Sequence, residues 1–467
     1  MANDTIAARA TAPGAGAVAV VRVSGPAALS VLQRIFRPSL PAPETPVPRR
    51  LVHGFVVGRD LLAVDEALAV FMPGPHSYTG EDCVEIHGHG GPAVTRGVLE
   101  EVLAAGCRLA EPGEFTKRAF LNGKLDLSQA EAVAELVSAP GRFAARFALS
   151  ALRGHLGGRV NALRARLGDL RTRICLAVDF PEEEEQGAGC EAFRRGVQEV
   201  LDEIVNLLAD CSRAGPLREG ALVVLAGPVN AGKSSLLNAL IGRDRALVSA
   251  VAGTTRDYLE ESVDLGGLCA RLADTAGLRE SVCGIERLGM DKSLELMDAA
   301  DLVVLAFDRS AAASADDAAQ IIRTAQRRGP SRTLVAANKI DLEPCSAGSA
   351  GAPDPAARLR ELGFEIAAVS AKTGEGLEAL VAAMRARILS GGEPPPDAAV
   401  PNLRQAGALE EAGRELAALL EDEAAGLPAD CLGVRLETAC AALCEITGAI
   451  TPEGVLDAVF SRFCIGK

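Results

Sequence analysis

The sequence lacks several features that would place it in a special class of protein. It has 12 cysteines among 467 residues but no Cys-x-x-Cys pair, so neither a zinc knuckle nor a redox dithiol is indicated, and a reducing cytoplasm is the expected compartment. No apolar run reaches the ~18 residues that a membrane-spanning helix needs, and the start is not basic enough for a secretory signal. At ~150 residues per domain, the length predicts about three soluble domains.

Positive charge is in deficit as well. The chain has 48 Lys and Arg residues against 62 Asp and Glu residues, a formal net charge of −14, so any nucleic-acid contact would need a local basic face. The stretch 142–173 is a candidate, with eight arginines and one acidic residue, Asp169. At 100° per residue the arginines form two stripes: Arg142, Arg146, Arg153, Arg164 and Arg171 on one, and Arg159, Arg166 and Arg173 on the other. The alternative is an ordinary solvated helix surface, and Gly154, Gly157 and Gly158 would break the alignment if they end the helix.

The apolar periodicity changes along the chain and predicts its organisation. Residues 1–120 show α/β patterning, 121–217 are helical, 218–390 return to α/β patterning, and 391–467 are helical again. We therefore predict a fold of class α/β plus all-α. An N-terminal α/β domain is followed by a helical domain in two parts, 121–217 and 391–467, with the second α/β domain inserted between them.

A phosphate-binding motif opens the inserted domain. Residues 227–234, GPVNAGKS, fit the pattern G-x-x-x-x-G-K-[ST] and stand between an apolar strand candidate and a helix. The glycines let backbone N–H groups surround phosphates, Lys233 can reach the terminal phosphates, and the Ser234 hydroxyl can ligate Mg²⁺. This context predicts a nucleotide site.

Two further elements follow in the chain order that a GTP site requires. Asp274-Thr-Ala-Gly277 comes after an apolar run, which places a carboxylate near the metal and an N–H group near the γ-phosphate. Asn338-Lys-Ile-Asp341 follows another strand, and Asp341 can accept hydrogen bonds from N1–H and the 2-amino group of guanine, a donor pair that adenine lacks. With Ser370-Ala-Lys372 closing the base pocket, the predicted substrate is GTP.

The motifs alone leave the catalytic group open. Ras-like enzymes orient the attacking water with a glutamine directly after the Asp-x-x-Gly element, but Leu278 occupies that position here. Another group must hold the water, and the charge that develops in the transition state also needs a compensating cation.

Further motifs resemble those of the tRNA modification GTPases of the MnmE/TrmE type, and the likeness covers nearly the whole chain. In the GTPase region they are Asn230 and the loop 253–257, GTTRD; at the C-terminus they are residues 463–467, FCIGK. Segments that resemble the family's folate-binding domain are 4–6, 22–25, 78–82, 88–91, 112–115 and 121–126. The resemblance implies a Ras-like P-loop GTPase domain inserted into a helical domain, and a homodimer formed through the N-terminal domain.

The resemblance also implies roles for residues around the nucleotide. GTP would be bound by Asn230, Ala231, Gly232, Lys233, Ser234, Ser235, Ser249, Ala250, Val251, Ala252, Gly253, Thr254, Thr255, Asp274, Thr275, Ala276, Gly277, Asn338, Lys339, Asp341, Ser370, Ala371 and Lys372. Mg²⁺ would be held by Ser234 and Thr255. K⁺, in the position of an arginine finger, would be held by Asn230, Ser249, Val251 and Thr254. The catalytic carboxylate would be Glu286, twelve residues after Asp274.

In the N-terminal domain the resemblance assigns a folate pocket to Arg22, Glu81, Lys124 and Lys467, for 5-formyl- or methylene-tetrahydrofolate. Cys464 is either a nucleophile in the modification chemistry or a packing residue. The chain departs from the family pattern at Val229, which stands where proline usually precedes the asparagine, with the proline one position earlier at Pro228. His87 replaces a commoner glutamine, and with His89 it has no evident third metal ligand.

The function implied by the resemblance is that of a K⁺-activated, cytoplasmic GTPase that works with an FAD-dependent partner protein in a heterotetramer. The two proteins would add a carboxymethylaminomethyl group at C5 of the wobble uridine, position 34, in certain tRNAs, with FAD and NADH acting on the partner. Two alternatives stay open. A ribosome-assembly switch would be expected to carry a KH domain or a second GTPase domain, and a GTP-regulated scaffold would have no modification role.

Overall fold

The computed structural model describes residues 4–41, 43, 46–179, 191–244, 260–274, 294–310, 315–343, 355–390, 392–395, 397–450, 453–461 and 463–467. The chain forms two compact units. Unit 1 contains Met1–Ser138, Ala148–Leu208 and Pro401–Lys467, and unit 2 contains Ala139–Phe147 and Ala209–Val400.

Unit 1 begins with a seven-stranded sheet in the order β3-β4-β5-β6-β2-β1-β7. Neighbouring strands are antiparallel except β1 and β7, which are parallel. The strands are β1 Ile6–Arg9, β2 Val18–Ser24, β3 Phe36–Pro38, β4 Val52–Val57, β5 Ala63–Met72, β6 Cys83–His89 and β7 Arg108–Leu109. Helices α1 (Ala28–Ile35) and α2 (Pro92–Ala104) share a hydrophobic core with it. Alternation in β2 explains the core, because Val21 and Val23 are buried while Arg22 between them is not.

The rest of unit 1 is helical. The helices that contribute to it are α3 Glu114–Leu121, α4 Leu127–Ser138, α5 Arg142–Leu152, α6 His155–Asp179, α7 Glu191–Glu219, α12 Leu403–Ala424, α13 Ala429–Thr447 and α14 Glu453–Phe460. Asn402 and Gln405 form a capping box at the start of α12. Buried Glu131 of α4 pairs with Arg404 at 2.6 Å and accepts from the Gln405 amide at 2.6 Å, which fixes α12 against α4 although ~270 residues of sequence separate them.

The predicted continuity of the first arginine stripe is wrong. Helix α5 ends at Leu152, and Gly154 has φ of 83°, a left-handed conformation that ends the helix before α6 begins. Gly157 and Gly158 lie inside α6 and do not interrupt it. Arg142 and Arg146 are therefore on a different helix from Arg164 and Arg171, whereas the second stripe, Arg159, Arg166 and Arg173, remains on α6.

Unit 2 is built on a six-stranded sheet in the order β13-β12-β11-β8-β10-β9. The strands are β8 Ala221–Ala226, β9 Glu260–Asp264, β10 Cys269–Asp274, β11 Leu302–Asp308, β12 Thr333–Asn338 and β13 Ile366–Ala368; the helices are α8 Lys233–Asp244, α9 Ala315–Arg328, α10 Pro355–Glu361 and α11 Leu377–Ile388. Only β9 pairs antiparallel among these strands. Strands β8 and β12 are buried at every position, as expected for a parallel sheet covered on both faces.

The fold class predicted from the periodicity is confirmed: an α/β N-terminal part, a helical part and an α/β unit inserted between its segments. Each strand candidate after residue 300 is followed by a helix, as predicted. In the described ranges, no helix combines the length and the hydropathy needed to cross a bilayer.

Candidate nucleotide site and N-terminal charge network

The phosphate-binding motif forms the turn between β8 and α8, at the carboxyl edge of the parallel strands. Gly227 and Gly232 adopt φ of 139° and 83°, and Asn230 adopts φ of 65°. These left-handed conformations let successive N–H groups face one concavity, which is the basis of anion binding in such turns. Helix α8 begins at Lys233, so its amino terminus faces the same place.

Both glycines are also required by close packing. A Cβ on Gly227 would lie 2.0 Å from the carbonyl oxygen of Ala306, and one on Gly232 would lie 2.4 Å from Nδ2 of Asn338. The first contact is with the backbone of the neighbouring strand β11, which cannot move aside. The loop is therefore held against the strands that carry the other nucleotide motifs.

Lys233 and Ser234 lie where a site for phosphate and metal would need them. Lys233, only 8% exposed, donates from Nζ to the carbonyl oxygens of Gly227 at 3.0 Å and Pro228 at 2.8 Å. The Ser234 hydroxyl donates to Oδ2 of Asp274 at 2.7 Å. A hydroxyl and a carboxylate at this separation are oxygen ligands of the kind that Mg²⁺ prefers, so the residues fit a magnesium ion.

Asn338 connects the base-recognition loop to the phosphate loop. It is 1% exposed, and its Nδ2 donates to the carbonyl oxygen of Ala231 at 2.9 Å. Its Oδ1 accepts from the backbone N–H groups of Lys339 at 2.8 Å and Ala371 at 3.1 Å. One buried amide therefore fixes three loops, and with them the distance between the places for phosphate and base.

The carboxylate predicted to recognise guanine is held by its neighbour. Ser370, fully buried, donates from Oγ to Oδ1 of Asp341 at 2.7 Å. Because each carboxylate oxygen has two lone pairs, both oxygens can still accept from the two donors of guanine. A single hydroxyl thus orients Asp341 and leaves it able to discriminate between bases.

Asp308 is a further residue of this site that the sequence reasoning missed. It ends β11 and accepts from Lys339 Nζ at 2.6 Å and from Ser310 Oγ at 2.7 Å. Burial alone would raise the pKa of Asp308, but these hydrogen bonds outweigh it and lower the pKa. An acidic residue directly after a buried strand was the available signal. Lys339, with φ of 65°, is fixed by this pair beside the base-recognition loop.

Part of the predicted site lies outside the described residues. This part includes Ser249, Ala250, Val251, Ala252, Gly253, Thr254 and Thr255, then Thr275, Ala276 and Gly277, and the proposed catalytic Glu286. The described part brings together Asn230, Ala231, Gly232, Lys233, Ser234, Asp274, Asn338, Lys339, Asp341, Ser370 and Ala371. Ser235 follows Ser234 in α8, and Lys372 follows Ala371.

In unit 1, Arg22 of β2 lies in an aromatic environment. Its guanidinium is 5.1 Å from the ring centroid of Tyr78 and 5.7 Å from that of Phe115, and it pairs with Glu85 of β6 at 2.9 Å. Burial raises the pKa of the Tyr78 phenol, with smaller opposing contributions from its hydrogen bond with Thr116 and from Arg22. Such a stack of ring faces and a cation is suited to a planar heterocycle.

Glu81, which the resemblance assigns to the folate pocket, is held by two neighbours. It accepts from Arg118 Nη1 at 3.0 Å and from Ser24 Oγ at 2.8 Å. Because Ser24 is two residues after Arg22 on the same strand, the structure brings Glu81 near Arg22 through this serine. The sequence reasoning missed Arg118, whose burial at 7% exposure only the tertiary structure reveals.

Arg118 is the centre of a network of charges that joins distant parts of the chain. It also pairs with Asp4 at 2.7 Å and Glu114 at 3.3 Å, and Arg108 bridges the same two acids at 2.8 and 2.6 Å. Burial raises the pKa of both acids, but the hydrogen bonds from the arginines outweigh it, so the pKa values of Asp4 and Glu114 are lowered. The network fixes the orientation of the Glu81 carboxylate.

The remaining predicted folate residues lie on separate segments. Lys124 donates from Nζ to the carbonyl oxygen of Pro75 at 3.0 Å. Lys467 is half-buried at the C-terminus, and Cys464 is exposed. The tail contacts the N-terminal strand, since a Cβ on Gly466 would lie 2.1 Å from the carbonyl oxygen of Arg9. No contact joins Lys124 or Lys467 to Arg22 in the described part of the chain.

Two histidines of strand β6, His87 and His89, each face a carboxylate. His89 Nδ1 lies 2.7 Å from Asp65, and His87 Nε2 lies 3.2 Å from Glu85. The hydrogen bond to Asp65 is the largest cause of a raised pKa of His89. Within the residues that the structure describes, no group of three His, Cys, Asp or Glu side chains is arranged to hold a metal ion.

The parallel sheet, the glycine-bearing phosphate loop at its carboxyl edge and the Asn338 and Asp341 loops define a P-loop nucleotide-binding protein of the GTPase class. Two family models match the chain: "GTP-binding protein TrmE N-terminus" over residues 5–124 and "MnmE helical domain" over residues 127–464.

Curated relatives match over the full length. Proteins named tRNA modification GTPase MnmE are 49% identical in Nitratidesulfovibrio vulgaris (strain DP4; 100% of this chain and 99% of that protein), 43% in Symbiobacterium thermophilum (100% of both) and 41% in Lawsonia intracellularis (99% and 100%). The chain belongs to the MnmE family of tRNA modification GTPases.

Solved structures add little to this. The G domain of the T. maritima FeoB iron transporter is 26% identical and covers 36% of this chain and 97% of its own, with a TM-score of 0.26. Era of Aquifex aeolicus, bound to GDP and AlF4−, is 23% identical and covers 42% and 66%, with a TM-score of 0.28. These TM-scores are too low to support a conclusion about this chain.

Proposed function

We propose that this protein is a K⁺-activated GTPase that, with an FAD-dependent partner protein, drives carboxymethylaminomethyl modification at C5 of the wobble uridine, position 34, in certain tRNAs. The observation that carries the proposal is the bridge made by Asn338 between the phosphate loop and the loop of Asp341. It supports the proposal that unit 2 holds a guanine-nucleotide site, because it ties the loop proposed for the phosphates to the loop proposed for the base.

The residues of this chain divide the work on GTP. The turn at Gly227–Lys233 binds the phosphates, Ser234 and Thr255 hold Mg²⁺ with Asp274 beside Ser234, and Asp341 selects guanine. Mg²⁺ bound there neutralises charge on the β- and γ-phosphates. GTP hydrolysis does conformational work, because the uridine chemistry does not itself consume the γ-phosphate.

Glu286 is proposed to orient the attacking water in place of the glutamine that is missing at Leu278. K⁺, held by Asn230, Ser249, Val251 and Thr254, supplies positive charge where other GTPases use an arginine. Asn230 lies in the phosphate loop and has a left-handed backbone conformation, which supports its assignment as a K⁺ ligand.

Glu286→Ala should abolish hydrolysis and leave GTP affinity nearly intact, and Na⁺ in place of K⁺ should slow turnover. Equal rates in both cations would remove K⁺ from the mechanism.

Tetrahydrofolate, which carries a one-carbon unit, is proposed to bind unit 1 through Arg22, Glu81, Lys124 and Lys467. The aromatic rings around Arg22 and the oriented carboxylate of Glu81 suit a pterin edge. Cys464 at the exposed C-terminus is a secondary participant or a packing residue. We also propose a homodimer through the N-terminal domain and a heterotetramer with the partner protein, which carries FAD and uses NADH.

The proposed domain boundaries are 1–120 for the folate-binding and dimerisation domain, 121–217 and 391–467 for the helical domain, and 218–390 for the GTPase domain. Because its substrate is tRNA, the proposed place of action is the cytoplasm.

Nucleoside mass spectrometry of total tRNA from a strain without this gene, compared with its parent, tests the proposal. Loss of the C5-aminomethyl wobble uridines is the expected result. An unchanged nucleoside profile would overturn the modification role and favour a switch in ribosome assembly or a scaffold.

A further inference from the structure

Helix α6 is basic in a chain that is acidic overall. It carries five arginines, and Asp169 is the one acidic residue between positions 155 and 175. The whole chain has a formal net charge of −14. The arginines are Arg159, Arg164, Arg166, Arg171 and Arg173. All five arginines lie on one helix.

The arginines flank the buried face of the helix in two rows. The core-facing residues are all at most 5% exposed: Leu156, Val160, Leu163, Leu167, Leu170 and Ile174. At 100° per residue, Arg164 and Arg171 lie on one side of this face, and Arg166 and Arg173 lie on the other. Arg164 is half-buried and the other three are exposed. Members of one row are seven residues apart, about 10.5 Å along the axis.

These guanidinium groups have almost no acidic partners. Arg159 pairs with Glu203, whereas Arg164 donates only to the amide oxygen of Asn161 at 3.1 Å. Arg166, Arg171 and Arg173 form no ion pair with any residue in the described ranges. Some other arginines of unit 1 do have carboxylate partners, as in Arg194 with Glu423 at 2.7 Å and Arg435 with Glu415 at 3.0 Å. The four arginines of the two rows are therefore available to an external anion.

The surface between the rows favours a nucleic acid over a protein. Its exposed positions are Gly158, Asn161, Ala162, Ala165, Gly168, Thr172 and Cys175 together with Asp169. A Cβ on Gly158 or Gly168 would meet no atom within 4 Å, so a ligand can approach the helix closely. No large hydrophobic side chain is exposed between residues 155 and 175. Protein interfaces are centred on such side chains. A phosphate backbone instead needs regularly spaced cations and enough space to approach them.

We propose that the basic surface of α6, formed by Arg164, Arg166, Arg171 and Arg173, binds the sugar-phosphate backbone of tRNA. The proposal rests on the function proposed above and adds a place for the substrate to it. Guanidinium groups hold phosphates through two parallel hydrogen bonds, and such contacts position a nucleic acid without reading its sequence. The surface therefore supplies affinity and orientation for tRNA, with the choice of tRNA made elsewhere.

The test compares three full-length double variants that lose the same charge. R164Q/R171Q and R166Q/R173Q each remove one row. The matched control, R195Q/R414Q, removes exposed arginines that already pair within their own helices, with Glu191 and Glu411. Binding of fluorescently labelled, unmodified tRNA is followed by anisotropy over a NaCl series at fixed K⁺ and Mg²⁺. Melting curves and GTP hydrolysis without tRNA, both expected to match wild type, show that each variant is folded.

Each row variant should weaken tRNA binding several-fold or more and reduce the slope of log Kd against log salt by about 0.7–0.9 per lost phosphate contact. The control should retain the wild-type slope, and R166K/R173K should recover most of the affinity because lysine keeps the charge. If the row variants bind tRNA with the affinity and salt dependence of the control, the proposed surface is wrong. It is also wrong if tRNA binding by the wild-type protein does not depend on salt concentration. The wobble-nucleoside profile of the strain without this gene tests the proposed function separately, whatever the tRNA-binding measurements show.

Discussion

The nucleotide site of unit 2 and the charge network around Glu81 in unit 1 are built in opposite ways. The nucleotide site gathers short motifs that each follow a strand of one parallel sheet, so chain order alone places them together. The network joins Asp4, Glu81, Glu114 and Arg118, from three separate segments, through one buried arginine. The first arrangement is carried by backbone geometry and the second by tertiary ion pairs.

The difference determines how each site should fail. A backbone site is broken by adding atoms, because its loops already touch at their closest approach. An ion-pair network is broken by removing atoms, because the partners left behind are charged and partly buried. The substitutions below separate these two modes of failure.

Arg118→Ala should have the largest effect, a loss of about 3 kcal/mol in the stability of the N-terminal part, since it removes the arginine that pairs with Glu81 and leaves Asp4 and Glu114 with Arg108 alone. Thermal unfolding measures this, and folate titration should weaken in parallel. The lowered pKa values of Asp4 and Glu114 mean that their pairing stabilises above their ordinary pKa values and is lost as pH falls through the lower, folded values. The difference between the variant and wild type should therefore begin to narrow only as the pH falls below about 4, and only in part, because Arg108 contributes more than Arg118 to the lowered pKa values.

Arg118→Lys should recover part of the stability, because lysine keeps the positive charge but lacks the planar guanidinium that can donate to several carboxylate oxygens at once. Arg34→Ala, at an exposed arginine that donates only to the carbonyl oxygen of Ala105, is the control and should change stability by less than about 0.5 kcal/mol. If Arg118→Ala melts like this control at pH 7, the network does not stabilise the domain.

Gly227→Ala should follow, with at least about a 100-fold loss of GTP affinity, or ~2.7 kcal/mol. The added Cβ would collide with the carbonyl oxygen of Ala306, and φ of 139° is unfavourable for alanine. Isothermal titration with a slowly hydrolysed GTP analogue measures the change. Gly242→Ala is matched to it, since this glycine lies in α8 with open space around it, and should bind normally with slightly higher stability. Normal GTP affinity in Gly227→Ala would show that the phosphate loop tolerates displacement.

Asp341→Asn should have the smallest effect, a loss of about tenfold or more in GDP affinity, because one charged hydrogen-bond acceptor for the base is replaced. Xanthine nucleotides should bind better than to wild type, since the amide can donate to the 2-oxo group. Competition between GDP and XDP measures the preference, with Asp298→Asn at a remote surface carboxylate as the control. An unchanged preference would mean that another group reads the base.

The contrast also explains what the sequence could predict. The positions of the phosphate loop, Asp274 and Asp341 follow from motifs after apolar strand candidates, because parallel strands present their carboxyl ends on one edge. The role of Asn338 as a bridge and the pairing of Lys339 with Asp308 needed the loops in space.

Arg118 is the clearest example of a residue whose role the sequence alone could not predict. In sequence it is an arginine in a short helix, with no motif to mark it, and its acidic partners lie 4, 37 and 114 residues away. The arginine stripe failed for a local reason, since one left-handed glycine at 154 was enough to divide the helix. Propensity alone does not reveal whether a glycine inside a helical pattern ends the helix or, like Gly157 and Gly158, is carried within it.

The most direct test of the account couples the nucleotide site to the modification. The strain without this gene is complemented with wild type, with Lys233→Ala or with Gly242→Ala, and the wobble nucleosides of its tRNA are measured by mass spectrometry. Wild type and Gly242→Ala should restore the C5-aminomethyl uridines, and Lys233→Ala, expressed at the same level, should not. Full restoration by Lys233→Ala would contradict the claim that GTP bound at this site drives tRNA modification.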